Sequence, residues 1–227
     1  MDFIFMLTRD DRTVRDCLHV LDTVADAGVR HIGFKDVGVE RATLTALHTR
    51  IKELGATSHL EVVSTDREQA LASVATAIDL GVDWLMGGTW VTEALERLRG
   101  TAIGYLPFAG EPLGHPTRLA GGPARIAEDC RRHEAAGCAG VDLLAYRATE
   151  ADPLSLVRAA RAATSGRLVV AGSISGTRQI QELAAAGVDA FTIGSAAFSG
   201  SLDPRRGSLR GQLDHVMTTL TGQGRQG

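Results

Sequence analysis

Lysine is nearly absent from this chain: Lys35 and Lys52 stand against twenty-two arginines. That scarcity sets Lys35 apart, because it lies in His31-Ile32-Gly33-Phe34-Lys35-Asp36, where a buried strand meets a loop. An ammonium can lose its proton, act as a base or form a Schiff base, and a guanidinium cannot. Cysteine is scarce too. Cys17, Cys130 and Cys138 are odd in number and form no CxxC pair, which argues against a disulfide framework or a zinc site. No two histidines have metal-ligand spacing, so neither a metal nor a cofactor is expected. No apolar run reaches membrane length and no basic segment precedes Phe3, so the expectation is a soluble, cytoplasmic protein with no membrane partner. With a net charge of −3 and scattered arginines, there is no basic footprint for nucleic acid. Six prolines and no low-complexity stretch leave no place for a linker. One globular domain over 1–220 is expected, with a glycine- and glutamine-rich tail over 221–227 that frays.

What is present is a repeat. Four times a small residue plus glycine closes a helical stretch and passes into an apolar run: Ala27-Gly28-Val29, Leu80-Gly81-Val82, Ala139-Gly140-Val141 and Ala186-Gly187-Val188. Each glycine falls where a helix should end, because the left-handed conformation costs glycine nothing. Each following run reads as a buried parallel strand. Four more runs, Phe3 to Thr8, Thr57 to Ser64, Ala102 to Phe108 and Arg167 to Gly172, alternate with these. Apolar residues at helical spacing, such as Val14, Leu18, Leu21 and Val24 or Leu44, Leu47, Ile51 and Leu54, fill the gaps. Eight strand-helix units make an α/β chain of the (β/α)8, or TIM-barrel, kind, with a doubly wound open sheet as the alternative.

In such a barrel the chemistry sits at the C-terminal ends of the strands. The last two strands end in Gly172-Ser173-Ile174 and Ile193-Gly194-Ser195. Small residues there let backbone N–H groups approach an anion, and a short helix after Gly194 adds its dipole. Gly172, Ser173, Gly194 and Ser195 are therefore the expected phosphate site. These paired turns resemble the phosphate grip of the ribulose-phosphate-binding barrels, which include histidine- and tryptophan-pathway enzymes, sugar-phosphate epimerases and decarboxylases. The resemblance implies a phosphorylated ligand and no single reaction. The Asp-x-Lys-x-x-Asp run of the decarboxylases is absent, strand six has no Schiff-base lysine, and the first strand ends in Met6-Leu7-Thr8 where the tryptophan-pathway isomerase has a cysteine.

The catalytic end must then be read from its own residues. Alternation puts His31, Gly33 and Lys35 on one face of strand two and His59, Glu61 and Val63 on one face of strand three. If those faces point inward, Lys35 and Glu61 meet as a proton-transfer pair, or as an ion pair that merely closes the barrel. His59 joins them as a substrate contact. Tyr146 and Arg147, at the end of strand six, can hold a substrate hydroxyl or carboxylate, with room for one of them to point in. The long Gly- and Pro-rich stretch Pro107 to Pro123 reads as a lid carrying His115, a candidate acid or base or else a solvated loop histidine, and Arg118, which can close on an anion. His19, His48, His133 and His215 are expected on helix surfaces. Asp36 is expected to face a helix, and Asp83, Asp142 and Asp189 to serve turns at the N-terminal end of the barrel. Trp84 and Trp90 are candidates for a contact between copies in a homo-oligomer.

The expected function is cofactor-independent isomerase or epimerase chemistry on a small phosphorylated, sugar-derived substrate. The alternatives are a lyase using Lys35 as a Schiff base and a barrel that binds a phosphorylated metabolite without turning it over.

Overall fold

The computed structural model describes residues 1–114 and 117–223. Its strands are β1 (Asp2–Met6), β2 (His31–Phe34), β3 (Thr57–Val62), β4 (Trp84–Gly87), β5 (Gly104–Leu106), β6 (Gly140–Leu143), β7 (Arg167–Val170) and β8 (Ala190–Ile193). They form one parallel sheet in the order β6-β7-β8-β1-β2-β3-β4-β5. The sheet closes on itself at the β5–β6 seam through backbone hydrogen bonds from Ala139 to Tyr105, from Asp142 to Pro107 and from Ala109 to Asp142, 2.9–3.0 Å long. Around the barrel run α1 (Cys17–Thr23), α2 (Arg41–Glu53), α3 (Arg67–Leu80), α4 (Val91–Leu98), α5 (Pro123–Ala135), α6 (Pro153–Ala163), α7 (Thr177–Ala185), the short α8 (Ser195–Ser199) and α9 (Leu209–Gln223). The three acidic or proline-bearing starts are built as sequence chemistry dictates. Asp66 and Asp152 accept hydrogen bonds from the Gln69 and Ser155 N–H groups, and Pro123 and Pro153 open their helices.

Two cores stabilise the barrel. The larger lies between strands and helices, where Phe5, Leu7, Phe34, Leu47, Leu60 and Phe191 are fully buried. The smaller fills the barrel itself and consists of Ile4, Met6, Met86, Leu106, Val169 and Ala190. Gly33 exists for this packing, since a Cβ there would overlap the Met6 sulfur. Below this apolar disk, at the N-terminal end, polar rings stack: Arg167 pairs with Asp2 at 2.6 Å and lies 5.2 Å over the Trp84 ring, Trp84 stacks on His59, and His59 Nε2 meets His31 Nδ1 at 3.2 Å. Burial above all, with His31 beside it, pushes His59 down to about 3, so it is neutral. Trp84, half-buried, thus packs against the barrel filling.

Two β-ribbons rise from the C-terminal end. Thr8–Arg9 pairs with Arg12–Thr13 through the turn Asp10-Asp11, both at positive φ (48° and 58°), which is the tight hairpin geometry that aspartate tolerates. The segment after β5 is a second ribbon, Glu111–Leu113 with Arg118–Ala120, where the sequence suggested a long loop. His133, expected on the surface, is buried on α5 with its Nε2 3.2 Å from the Phe108 carbonyl.

One repeat differs in register from the sequence expectation. Gly28, Gly81 and Gly187 take the left-handed conformation (φ +74, +72 and +76°) after their helices. The equivalent of these in the sixth unit is Gly137 (φ +94°), because α5 ends at Ala135. Gly140 is already inside β6, where a Cβ would overlap the Arg167 backbone. Asp142 is therefore not a turn residue like Asp83 and Asp189; it lies three positions deeper, inside the barrel. Gly140→Ala is expected to lower stability by about 3 kcal/mol, against about 1 kcal/mol for Gly28→Ala, which meets nothing within 4 Å. Chemical denaturation of the two variants checks this.

Candidate active site

Lys35 follows the last residue of β2 and points into the barrel mouth, 3% exposed. Its backbone is fixed by Thr13, whose hydroxyl donates to the Lys35 carbonyl (2.6 Å) and accepts from the Lys35 N–H (2.9 Å). The Nζ lies 2.8 Å from Asp11 Oδ1 and 3.3 Å from Glu61 Oε2. Glu61 reaches it from β3, two residues beyond His59. His59 itself, expected among the substrate contacts, belongs to the ring at the opposite end of the barrel, with Met6 and Met86 above that ring.

Asp11 was not foreseen, and it organises the mouth. Its carboxylate takes the Lys35 ammonium and, on the other side, both guanidinium nitrogens of Arg147 at 2.9 and 3.0 Å. Burial by itself raises this carboxyl, but the hydrogen bonds and charges of Arg147 and Lys35 outweigh that and hold it well below the usual carboxylate range. The sequence signal was available in the mirror-like run Thr8-Arg9-Asp10-Asp11-Arg12-Thr13, a two-residue turn between paired short strands. Arg147 stands on the 3-10 turn Ala145–Arg147, not on strand six, which ends at Leu143. Of the pair, Arg147 points in. Tyr146 packs against the outer core, its hydroxyl without a partner among the described residues and pushed up to about 12 by burial. Gly172 lets Arg147 pass, since a Cβ there would overlap its Nε.

Asp142, set aside on sequence grounds, completes the cluster. It is fully buried on β6, and neither carboxylate oxygen has a hydrogen-bond partner among the described residues. Burial first, and the Glu61 carboxylate second, push it well above its ordinary value, with Lys35 and Arg147 opposing only in part. Asp36 turns the other way, half-buried near Ser73 of α3, and burial raises its carboxyl.

Above this floor opens a cleft of about 400 Å³ whose walls include Lys35, Glu61, Arg147, Gly172, Ser173, Gly194 and Ser195. Ser173 holds a left-handed conformation (φ 59°) directly after Gly172 (φ 78°), which turns successive N–H groups the same way. Gly194 passes so close to Thr8 that a Cβ would meet its backbone oxygen at 2.9 Å. Arg118 lies at the rim, in a smaller depression shared with Asp11, Arg147, Ser173 and Ser195. His115 lies outside the described residues. A larger cleft, about 540 Å³, opens between α4 and α5, but its charged members Glu96 and Arg99 are exposed. No group of metal-ligating side chains occurs among the described residues, and no helix among them is long and apolar enough to cross a membrane.

The family model described as histidine biosynthesis protein matches residues 111–202. No curated protein matches the sequence. Among solved structures, orotidine 5'-phosphate decarboxylase from Pyrococcus horikoshii superposes with a TM-score of 0.70 at 11% identity, covering 97% of this chain and 99% of that one. A native KDPGal structure gives 0.67 at 14% identity, with 98% and 97% covered. Thiamine phosphate pyrophosphorylase from Pyrococcus furiosus gives 0.64 at 13%, with 97% and 96% covered. The chain is a TIM barrel. Its likeness to the ribulose-phosphate-binding barrels, first read from two turns, stands in the matched segment, which contains both of them. Lys35, Glu61 and Asp11 lie outside that segment.

The buried charges make a stability prediction. Asp11→Asn leaves Arg147 without its paired carboxylate and Lys35 with Glu61 alone, and is expected to cost about 3 kcal/mol at pH 7. A carboxyl held low in the folded state stabilises above its unfolded pKa and loses that contribution as pH falls through the folded one. The gap between variant and parent should therefore narrow below about pH 4. Urea unfolding at stepped pH reads it.

Proposed function

We propose that this barrel is an enzyme for a small phosphorylated, sugar-derived substrate, which it holds by phosphate at the turns of Gly172-Ser173 and Gly194-Ser195. The carrying observation is that one cleft combines these two turns with a buried Lys35–Glu61 pair on its floor. The two turns and the first turn of α8 offer backbone N–H groups to an anion. A substrate anchored there extends its carbon chain toward Lys35 and Glu61.

Glu61 then takes a proton from the carbon next to the substrate carbonyl. The C–H electron pair moves into an enolate whose oxygen gains the negative charge, and the Lys35 ammonium stabilises it. When the proton of the adjacent substrate hydroxyl moves to the enolate oxygen, return of the carbon-bound proton from Glu61 to the former carbonyl carbon gives an isomer; proton delivery from water to the opposite face of the original carbon, with the proton on Glu61 released to solvent, gives an epimer. Proton transfer is favoured over a Schiff-base lyase because the Lys35 ammonium is already engaged by Asp11 at 2.8 Å and Glu61 at 3.3 Å. An imine at Lys35 would require both contacts to break.

The test is a panel of sugar phosphates in deuterium oxide, followed by NMR for incorporation of deuterium beside the carbonyl. Exchange by the parent protein is expected, with Glu61→Gln and Lys35→Met each about 10²–10⁴-fold slower. Inorganic phosphate should bind the parent and both variants with similar affinity. A borohydride-trapped adduct on Lys35 would replace this reading with the lyase. Phosphate binding without exchange or cleavage of any panel member would leave a binding protein.

A further inference from the structure

Thr8 and Thr192 are two buried hydroxyls that the proposed chemistry leaves without a task. Ile4 and Met6 fill the barrel from β1, and Ala190 fills it from β8. Alternation puts Thr8 and Thr192 on the same inward faces, two residues beyond Met6 and Ala190. They are 6% and 5% exposed, and both line the cleft. Thr8 Oγ1 is turned toward Gly194, 2.8 Å from the point where a Cβ on that glycine would stand. Two similarly buried threonines are engaged within the protein. Thr13, opposite Thr8 in the ribbon, holds the Lys35 backbone, and Thr164 accepts from the Gly166 N–H. The Thr8 and Thr192 hydroxyls have no hydrogen-bond partner among the described residues, and unlike the Tyr146 hydroxyl they are not sealed off. Valine has nearly the same shape and would extend the apolar filling below, so a hydrogen-bonding group is what threonine adds at both places.

We propose that Thr8 and Thr192 are specificity residues that bind hydroxyl groups on the carbons between the phosphate and the reacting carbon, so that the substrate class is a polyhydroxylated phosphate monoester and not a phosphorylated aromatic compound. The order of strands around the barrel sets the order of groups along the ligand. The turns after β7 and β8 face the phosphate, Thr192 on β8 and Thr8 after β1 come next, and Lys35 after β2 and Glu61 on β3 follow. A chain that runs from the turns to Lys35 passes both hydroxyls. An apolar chain would desolvate them without giving a hydrogen bond in return, and a hydroxylated one restores it. No aromatic side chain lines the cleft among the described residues, so a flat ring finds no stacking face there.

This rests on the phosphate reading and adds what lies between the phosphate and the chemistry. Thr8 reaches the Gly194 turn from β1, and Thr192 stands two residues below that turn on β8. Both therefore belong to the part of the cleft next to the phosphate. Each hydroxyl can donate to one substrate oxygen and accept from another. Their contribution is to binding and selection, and proton transfer stays with Glu61 and Lys35.

Amide chemical-shift titrations of the nitrogen-15-labelled full chain test this with four probes: inorganic phosphate, glycerol 3-phosphate, propyl phosphate and phenyl phosphate. Glycerol 3-phosphate and propyl phosphate share a three-carbon ester and differ only in two hydroxyls. The parent is expected to bind glycerol 3-phosphate about tenfold more tightly than propyl phosphate, with phenyl phosphate no better than propyl phosphate. In Thr8→Val and in Thr192→Val that ratio should fall severalfold, and in the double variant it should approach one. Inorganic phosphate should bind all of them as it binds the parent. Thr8→Ser and Thr192→Ser, which keep the hydroxyl, should keep the parent ratio. Equal affinity of the parent for the two three-carbon esters, an unchanged ratio in the valine variants, or a preference for phenyl phosphate would overturn the assignment. Weaker inorganic phosphate binding in a valine variant would assign that hydroxyl to the phosphate itself and overturn it too. Should a valine variant fail to fold, the alanine variant at the same position replaces it. If neither inorganic phosphate nor any ester shifts the Ser173 and Ser195 amides of the parent, the phosphate reading itself fails, a result distinct from phosphate binding without discrimination.

Discussion

The mouth of this barrel depends on one carboxylate. Asp11 sits at the tip of a two-residue hairpin, in a backbone conformation few residues tolerate, and bridges a lysine from β2 to an arginine from the turn after β6. Those two cations come from opposite sides of the sheet order, and without an anion between them they would repel across a poorly solvated space. Their mutual proximity is what gives the cleft a floor. The same hairpin carries Thr13, whose hydroxyl pins the Lys35 backbone, so a short segment after β1 sets both the position and the charge environment of the lysine.

The barrel interior is layered by polarity. A ring of Asp2, His31, His59, Trp84 and Arg167 fills the N-terminal end, the apolar disk of Ile4, Met6, Met86, Leu106 and Val169 lies in the middle, and the charged floor of the cleft lies above. The disk separates the two polar layers, because an apolar filling leaves no hydrogen-bond route between them. It also explains why two histidines and a lysine or glutamate on the same strand faces have unrelated roles. His31 and Lys35 share a face of β2, and His59 and Glu61 share one of β3, yet each pair is divided between a structural ring and the mouth.

Strand faces were legible because alternation has a period of two, which puts Lys35 and Glu61 on the inward side once a barrel is assumed. The two small turns after β7 and β8 were legible because glycine and serine at a strand end have a direct backbone consequence. Depth along the barrel was not. His59 lies on the correct face at the wrong level, and no periodicity encodes level, since strands start at different heights in a sheared sheet. Asp142 was lost for a related reason: Ala136-Gly137 and Ala139-Gly140 are both plausible helix ends, and the choice between them moves the aspartate by most of a strand. Asp11 and Arg147 are 136 residues apart, and their pairing has no local signature at all.

The sequence by itself determined the number and order of strand-helix units, the inward faces and the two small-residue turns after β7 and β8, because those follow from local periodicity and from what glycine permits. Tertiary structure alone decided which inward residues reach the mouth, that Arg147 and not Tyr146 turns in, and that Asp11 neutralises two distant cations. Closure of the barrel brings these groups within a few ångströms of each other, and electrostatic interaction at that range depends on distance in space and burial, neither of which is written in sequence spacing.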